Sequence, residues 1–374
     1  MSLADAAAAK ILSNLNNVNS AEFTSLGYAT CSAGSVNSSG VFTPGASTFA
    51  NGATAWSVGM MVTGGSLPSF TFISSINSPG ISWNLSCVNT IPVQTNVAIT
   101  STQSIYSWAI PSGVNTIWLD AVGGGGGGAG GGLGAYGGGG GGCSGSFCYQ
   151  FPIKIPTGVS QLYMIVGTGG IGGPAGSSGG LGGTSSIVSS IMTQHALINF
   201  VAGNSYQPPV SPVTTTGGAG GLNSTYAFGA ASGGSAGNTA ASGNMLPTTT
   251  YTLFSGYYPG SGGGGGGGYS NGTSSGAGGN GGTPYMGSTY TSGGTGGAGA
   301  TAAGGGGGGG NGFGFMIDPL GTNNNTVGYN GNGGTGGTTP TAGSPAGNLG
   351  GGGGGGATGM AGGNGANGYI HINW

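Results

Sequence analysis

Runs of consecutive glycine constrain the fold of this chain more than any other feature of its sequence. Seven-glycine runs occupy residues 262–268, 304–310 and 350–356, and 99 of the 374 residues are glycine. Glycine loses more conformational entropy on folding than any other residue. Such runs are therefore ordered only where close contact between backbones offsets that cost.

Shorter glycine-rich segments keep a period of three. Two glycines followed by one other residue recur at 169–174, 179–184, 217–222, 278–283, 293–299 and 333–338. A polyproline-II helix has three residues per turn and no internal hydrogen bonds, so neighbouring helices must satisfy its N–H and C=O groups. Glycine lets those backbones touch, and the sequence predicts a bundle of polyglycine-II helices. A flexible glycine-rich linker is the alternative.

The other segments predict a mainly β fold with one short helix. Apolar residues at helical spacing put Leu3, Ile11, Leu12 and Leu15 on one face of a helix. This helix would dock on another chain, and a helix that caps its own domain is the alternative. Ser, Thr, Val and Ile between closely spaced turns predict short antiparallel strands after it. The predicted domains are a helical anchor at 1–22, a small β attachment module at 23–100, and a β-sandwich carrying the polyglycine-II bundle at 101–374.

Charge excludes several classes of function. The six charged residues are Lys10, Lys154, Asp5, Glu22, Asp120 and Asp318. Two lysines cannot neutralise the phosphates of a nucleic acid or hold the chain on an anionic membrane. No apolar run is long enough to cross a bilayer, and the N-terminus lacks the basic start of a secretory signal.

Few residues could support catalysis. An active site needs convergent titratable groups, and His195 and His371 have no acidic residue close to them in sequence. We interpret both as structural histidines, and we predict a protein that is not an enzyme and takes no metal or cofactor. The glycine runs lack the Lys-Ser/Thr pair of a phosphate-binding loop.

The four cysteines do not have the spacing of a zinc site. Cys31 and Cys87 lie in one block and could form a disulfide, and Cys143 and Cys148 could close a short loop. Four buried thiols are the alternative.

Aromatic residues are concentrated in segments between the glycine runs. Tyrosine provides a large contact area at low entropic cost, and loops on a rigid scaffold commonly carry binding sites. We predict a neutral or weakly charged ligand, either a glycan or the loops of an outer-surface protein. The candidate binding residues are Tyr251, Phe254, Tyr257, Tyr258, Tyr285, Tyr290, Phe313 and Phe315. Filling gaps in the fold is the alternative for each of them.

Four strand-bearing units bracket the glycine-rich part, and their order resembles the glycine-rich domain of bacteriophage tail-fibre and adhesin proteins. The matching residues are Trp108, Pro111, Gly113 and Val114; Ile165, Val166, Gly167, Gly169 and Gly170; Gly182, Gly183, Thr184 and Ser185; and Tyr369, Ile370 and Ile372. Residues 56–100 also resemble a small β module of phage tail and head fibres.

The resemblance implies a structural protein on the virion surface that is assembled in the host cytoplasm. Its N-terminal region would contact other virion proteins, and its glycine-rich domain would bind a glycan or protein of the host surface. Fibre proteins are often homo-oligomers, and trimers are common. A capsid decoration or head-fibre protein is one alternative. An ice-binding protein is another, although the mixed outward residues disfavour it.

Overall fold

The computed structural model describes residues 19–87, 89–133, 137–145, 147–189, 196–200, 202, 231–232, 244–245, 285–286, 289–290, 297–298, 306, 337–338, 340–347 and 349–374. In this part of the chain, β-strands alternate with turns and with extended glycine-rich segments. Among these residues no helix is long and apolar enough to cross a membrane.

The N-terminal half consists of short strands joined by turns. They are β1 (Ser20–Thr24), β2 (Tyr28–Val36), β3 (Val41–Thr43), β4 (Ser47–Ala50), β5 (Met60–Thr63), β6 (Phe72–Ser78) and β7 (Ser82–Ser86). β-Branched and aromatic side chains alternate with serine and threonine in these strands, which suits a sheet that is buried on one face.

A sixteen-residue strand, β8 (Gln94–Ala109), links this half to the rest of the chain. The strands after it are β9 (Thr116–Val122), β10 (Phe147–Lys154), β11 (Gln161–Gly167), β12 (Ser185–Val188), β13 (Ala196–Phe200), β14 (Ala231–Ser232), β15 (Asn244–Met245), β16 (Tyr285–Met286), β17 (Thr289–Tyr290) and β18 (Tyr369–Asn373). The first half of β8 pairs with β2, and its second half pairs with β11.

Two larger sheets and two small hairpins contain these strands. The four-stranded sheet has the order β1-β18-β9-β10, and the ten-stranded sheet has the order β13-β12-β11-β8-β5-β6-β7-β3-β2-β4. The hairpins are β14–β15 and β16–β17.

The main hydrophobic core joins the four-stranded sheet to one end of the ten-stranded sheet. Leu119 of β9 and Ile370 of β18 pack in one cluster with Leu162 and Met164 of β11, and all four are fully buried. Burying a side chain of this size contributes about 1.5–3 kcal/mol. Because residues alternate between faces along a strand, Asp120 and His371 lie on the opposite face of the four-stranded sheet.

A second core lies in the N-terminal β module. The rings of Phe42 and Trp56 meet edge to face with centroids 5.0 Å apart, and the ring of Trp83 also packs against Phe42 with centroids 6.3 Å apart. Met60, Ile73 and other apolar side chains complete this cluster.

The prediction of a mainly β fold is confirmed. The prediction that the fold begins with a helix is wrong for the part of the chain that the structure describes. The first described element is the strand β1, which pairs with β18, and the described residues contain no helix. Glycine, serine, threonine and β-branched residues dominate these segments and disfavour helices. Leu3, Ile11, Leu12 and Leu15 lie outside the described residues.

Candidate binding surface

Three hairpins of extended glycine-rich chain connect the strands of the main core. We call residues 123–145 the first glycine hairpin, residues 167–184 the second and residues 350–368 the third. The first joins β9 to β10, the second joins β11 to β12, and the third leads into β18. Each hairpin is therefore attached to the sheets at its base.

The outgoing segment of the first hairpin lies at the centre of the bundle. Consecutive amides of Gly124, Gly125 and Gly126 donate to the carbonyls of Gly183, Ala366 and Cys143, which belong to three different segments. The same three segments receive the next three amides and the three after those. This period of three is the hydrogen bonding of a helix with three residues per turn.

Side-chain atoms are excluded from most faces of this central segment. A Cβ added to Gly127 would overlap the carbonyl of Ile171, and a Cβ added to Gly128 would overlap the carbonyl of Gly354. Both obstacles are backbone atoms that themselves take part in the bundle. The hairpins are thus held by direct backbone contact, which makes the bundle a rigid support.

The three hairpins reverse direction at the same end of the bundle. The amide of Gly176 donates to the carbonyl of Gly131, and the amide of Gly359 donates to the carbonyl of Gly132, both at 2.8 Å. We call residues 132–133 with 137, residues 174–177 and residues 357–360 the distal turns. The central segment from Gly124 to Gly132 spans about 25 Å at 3.1 Å per residue, and this places the distal turns far from the sheets.

Glycines with positive φ close two of the distal turns. Ser177 donates to the carbonyl of Pro174, and Met360 donates to the carbonyl of Ala357. The third residue of each turn is a glycine, Gly176 with φ 74° or Gly359 with φ 73°. A type II turn requires a positive φ at that position.

The distal turns present an uncharged and partly apolar surface. Leu133 is 64% exposed and its side chain lies beside Gly176, so the first and second hairpins touch at this end. Pro174 is exposed and Met360 is partly exposed. None of the three turns contains a charged residue. Sequence reasoning missed this surface because nothing local shows that turns separated by about 40 and 180 residues meet.

A row of polar side chains crosses the four-stranded sheet on the face away from the main core. The register places Glu22 opposite His371, and His371 opposite Asp120. His371 Nδ1 lies 3.2 Å from Asp120 Oδ2, and both side chains are about 6% exposed. The His371 ring thus has an acidic partner 251 residues away. The alternation of residues between the two faces along β9 and β18 is the one sequence signal that could have indicated that Asp120 and His371 share a face of the sheet.

Two tyrosines of this region have raised hydroxyl pKa values, Tyr369 beside this row and Tyr106 against the main core. Burial raises the pKa of Tyr369 far above its ordinary value, and the charge of Glu22, a hydrogen bond to Glu22 and the charge of Asp120 raise it further. Burial also raises the pKa of Tyr106, whose hydroxyl donates to the carbonyl of Thr24 at 2.6 Å. Within the described chain, no three His, Cys, Asp or Glu side chains are placed to share a metal ion.

The structure places two of the predicted binding residues together. Tyr285 and Tyr290 are backbone partners in the hairpin of β16 and β17. The remaining six candidates, Tyr251, Phe254, Tyr257, Tyr258, Phe313 and Phe315, lie outside the described residues.

The cysteines of the N-terminal β module are not joined. Cys31 is a free thiol buried in the second core, and Cys87 donates from its Sγ to the carbonyl of Asn89. Cys143 is buried in the first glycine hairpin. The side chain of Cys148 lies outside the described part, so the disulfide between Cys143 and Cys148 remains a prediction.

A family model described as a glycine-rich domain matches residues 100–374. The chain belongs to this glycine-rich domain family. The match includes the second half of β8, all three glycine hairpins and the distal turns. No curated protein matches the chain.

Proposed function

We propose that this glycine-rich domain protein is a bacteriophage virion protein, of the fibre or adhesin kind, that binds the host cell surface with its distal turns. The observation that carries the proposal is the convergence of three turns at the free end of a rigid bundle. A surface receptor is reached most easily by the part of a scaffold that lies farthest from its attachment. The phage context comes from the sequence resemblance, and family membership supports a glycine-packed scaffold.

The chemistry of the distal turns favours a neutral receptor. With no charge in the three turns, binding would rely on shape and on apolar contact with Leu133, Pro174 and Met360. An exposed leucine on a projecting turn suits an apolar recess on the partner. The aromatic segments, including the paired Tyr285 and Tyr290, remain candidates for contacts around this centre.

We expect Leu133→Glu to weaken binding of the purified full-length protein to receptive bacterial cells by about tenfold or more, because a desolvated carboxylate without a partner is costly. The matched control is Leu181→Glu. Leu181 is 62% exposed, almost the same as Leu133, but it lies along the side of the second glycine hairpin. The measurement is the fraction of labelled protein retained on cells at several concentrations, with thermal unfolding of each variant to verify folding.

Binding by Leu133→Glu that equals binding by the unaltered protein would contradict a role for the distal turns. Equal loss by both would show that the side of the bundle takes part as well.

A second experiment tests the location on the particle. We expect gold-labelled antibody against residues 101–374 to mark the tips of tails or fibres on intact phage. Label spread over the whole head would favour a capsid decoration protein. Particles from the source lysate that carry no label, in preparations where the antibody detects the free protein, would contradict the virion assignment.

A further inference from the structure

The N-terminal β module contacts the glycine hairpins through a tight turn. Ala53 donates its amide to the carbonyl of Ala50 at 3.1 Å, which makes Asn51 and Gly52 the two central residues of the turn. Their φ values are 53° and 95°. Positive φ at both central positions defines a type I′ turn, and Asn-Gly is its preferred sequence.

A cycle of hydrogen bonds ties this turn to the bases of two glycine hairpins. Asn51 Nδ2 donates to the carbonyl of Gly169 at 2.5 Å. Asn367 Nδ2 donates to the carbonyl of Asn51 at 2.8 Å, and Asn367 Oδ1 accepts the amide of Gly169 at 3.0 Å. The Asn51 carboxamide therefore supplies one of the two bonds in this cycle that join the turn to the bundle, and the third bond links the two hairpin bases to each other.

We propose that Asn51 is a site of spontaneous deamidation and that its conversion loosens this junction. The Gly52 amide nitrogen loses its proton to solvent base and attacks Cγ of Asn51. The new N–Cγ bond forms as the Cγ–Nδ2 bond breaks, and ammonia leaves to give a cyclic imide. Water then opens either carbonyl of the imide and yields aspartate or isoaspartate.

The surroundings of Gly52 favour this reaction. Gly52 is exposed, no atom lies within 4 Å of a Cβ position built on it, and its amide makes no hydrogen bond to any described residue. The nucleophile is thus free and has room to approach. Among the described residues, the hydrogen bond that holds the partly exposed Asn51 side chain is the one to the buried carbonyl of Gly169. Opening of this single bond by local fluctuation frees the carboxamide for attack.

Two other Asn-Gly pairs in the same region provide internal controls. The amide of Gly365 donates to the carbonyl of Gly170, and the amide of Gly368 donates to the carbonyl of Gly167, each at 2.8 Å. Both glycines are buried. Because their amides are bonded inside the bundle, Asn364 and Asn367 are protected from the attack that Asn51 undergoes.

Deamidation removes the donor on which the junction depends. A carboxylate at position 51 has no N–H for the carbonyl of Gly169, and it places a negative charge against that carbonyl oxygen. The bond becomes a repulsion, and the remaining contacts to Asn367 must hold the turn by themselves. The glycine segment around Gly169 should then exchange its amide protons faster.

In the test, the intact full-length protein is aged at mildly alkaline pH and body temperature, then digested briefly at near-neutral pH and analysed by mass spectrometry. Trypsin has only two lysines to cut after, so chymotrypsin is preferable, because cleavage after Phe49 and Trp56 isolates a peptide with Asn51. We expect Asn51 to gain the mass of deamidation at least about tenfold faster than Asn364 or Asn367. Hydrogen exchange over residues 167–173 should be faster in aged protein and in Asn51→Asp than in fresh protein.

Two results would overturn the proposal. The first is an Asn51 that stays unmodified, or reacts no faster than Asn364 and Asn367, while the urea-unfolded protein reacts readily at all three. The second is an Asn51→Asp variant whose exchange over residues 167–173 equals that of the fresh protein. The Asn51→Gly variant, which keeps the positive φ and lacks a carboxamide, must show no mass gain in the same peptide.

Discussion

Replacing Gly128 with alanine is expected to lower the free energy of unfolding by about 3 kcal/mol or more, since overpacking a tight interior typically costs 1–3 kcal/mol and here only backbone can yield. The added methyl would overlap the carbonyl of Gly354. Relief of that overlap would separate segments that the Gly128 amide and carbonyl join to Gly363 and Gly173, both at 2.9 Å. Chemical denaturation followed by tryptophan fluorescence measures the change.

The neighbouring residue, Ala129, provides a matched control in which the substitution also changes one methyl group. Ala129 is fully buried, and its amide and carbonyl bond to Gly140 and Gly356 as the glycines bond to their partners. Ala129→Gly removes one buried methyl and adds chain entropy to the unfolded state, so we expect a loss of about 1–2 kcal/mol. Equal losses for the two variants would contradict the inference that the face at Gly128 excludes a methyl group while the face at Ala129 accommodates one.

Asp120→Ala is expected to destabilise the four-stranded sheet by about 3–5 kcal/mol, because it leaves the buried side chain of His371 without its acidic partner. The imidazole of His371 would retain the Asn373 side chain, but Nδ2 of Asn373 lies 3.5 Å from Nδ1 of His371, which is long for a hydrogen bond. The measurement is again the free energy of unfolding, with the fluorescence of Trp118 and Trp374 reporting on this sheet.

Two further variants separate the buried pair from general damage to the sheet. Replacing Asp120 with valine and His371 with phenylalanine together should cost less than Asp120→Ala alone, since neither member of the buried pair is then left without the other. Glu22→Gln, on the exposed strand β1, should change stability by no more than about 0.5 kcal/mol. A double variant as unstable as the single one would show that His371 and Asp120 are not coupled.

The main elements of the fold could be predicted from local sequence. Strand-bearing units are predicted to bracket the glycine-rich part, and β9 (Thr116–Val122) is such a strand that leads directly into glycine. The short strands of residues 23–100 were also predicted, because their turns carry Asn, Gly and Pro. The predicted helix has no counterpart among the described residues, since an apolar stripe alone does not show what a segment packs against.

The candidate site could be predicted only in part. Tyrosine content indicated Tyr285 and Tyr290, which the structure pairs in one hairpin. The distal turns were missed because their composition, Leu-Gly-Ala-Tyr in one case and Pro-Ala-Gly-Ser in another, is ordinary for connections. The acidic partner of His371 was missed for a similar reason, since strand pairing alone brings Asp120 beside it.

The sequence by itself determined a mainly β protein with almost no charge and with glycine repeated in threes. These properties follow from residue type and local spacing, which every part of the chain carries with it. Only the tertiary structure decided that Gly128 excludes a methyl group while Ala129 accommodates one, although both lie in the same glycine run. That difference depends on which backbone lies opposite each residue, and the neighbour of Gly128 is more than 200 residues away in the chain.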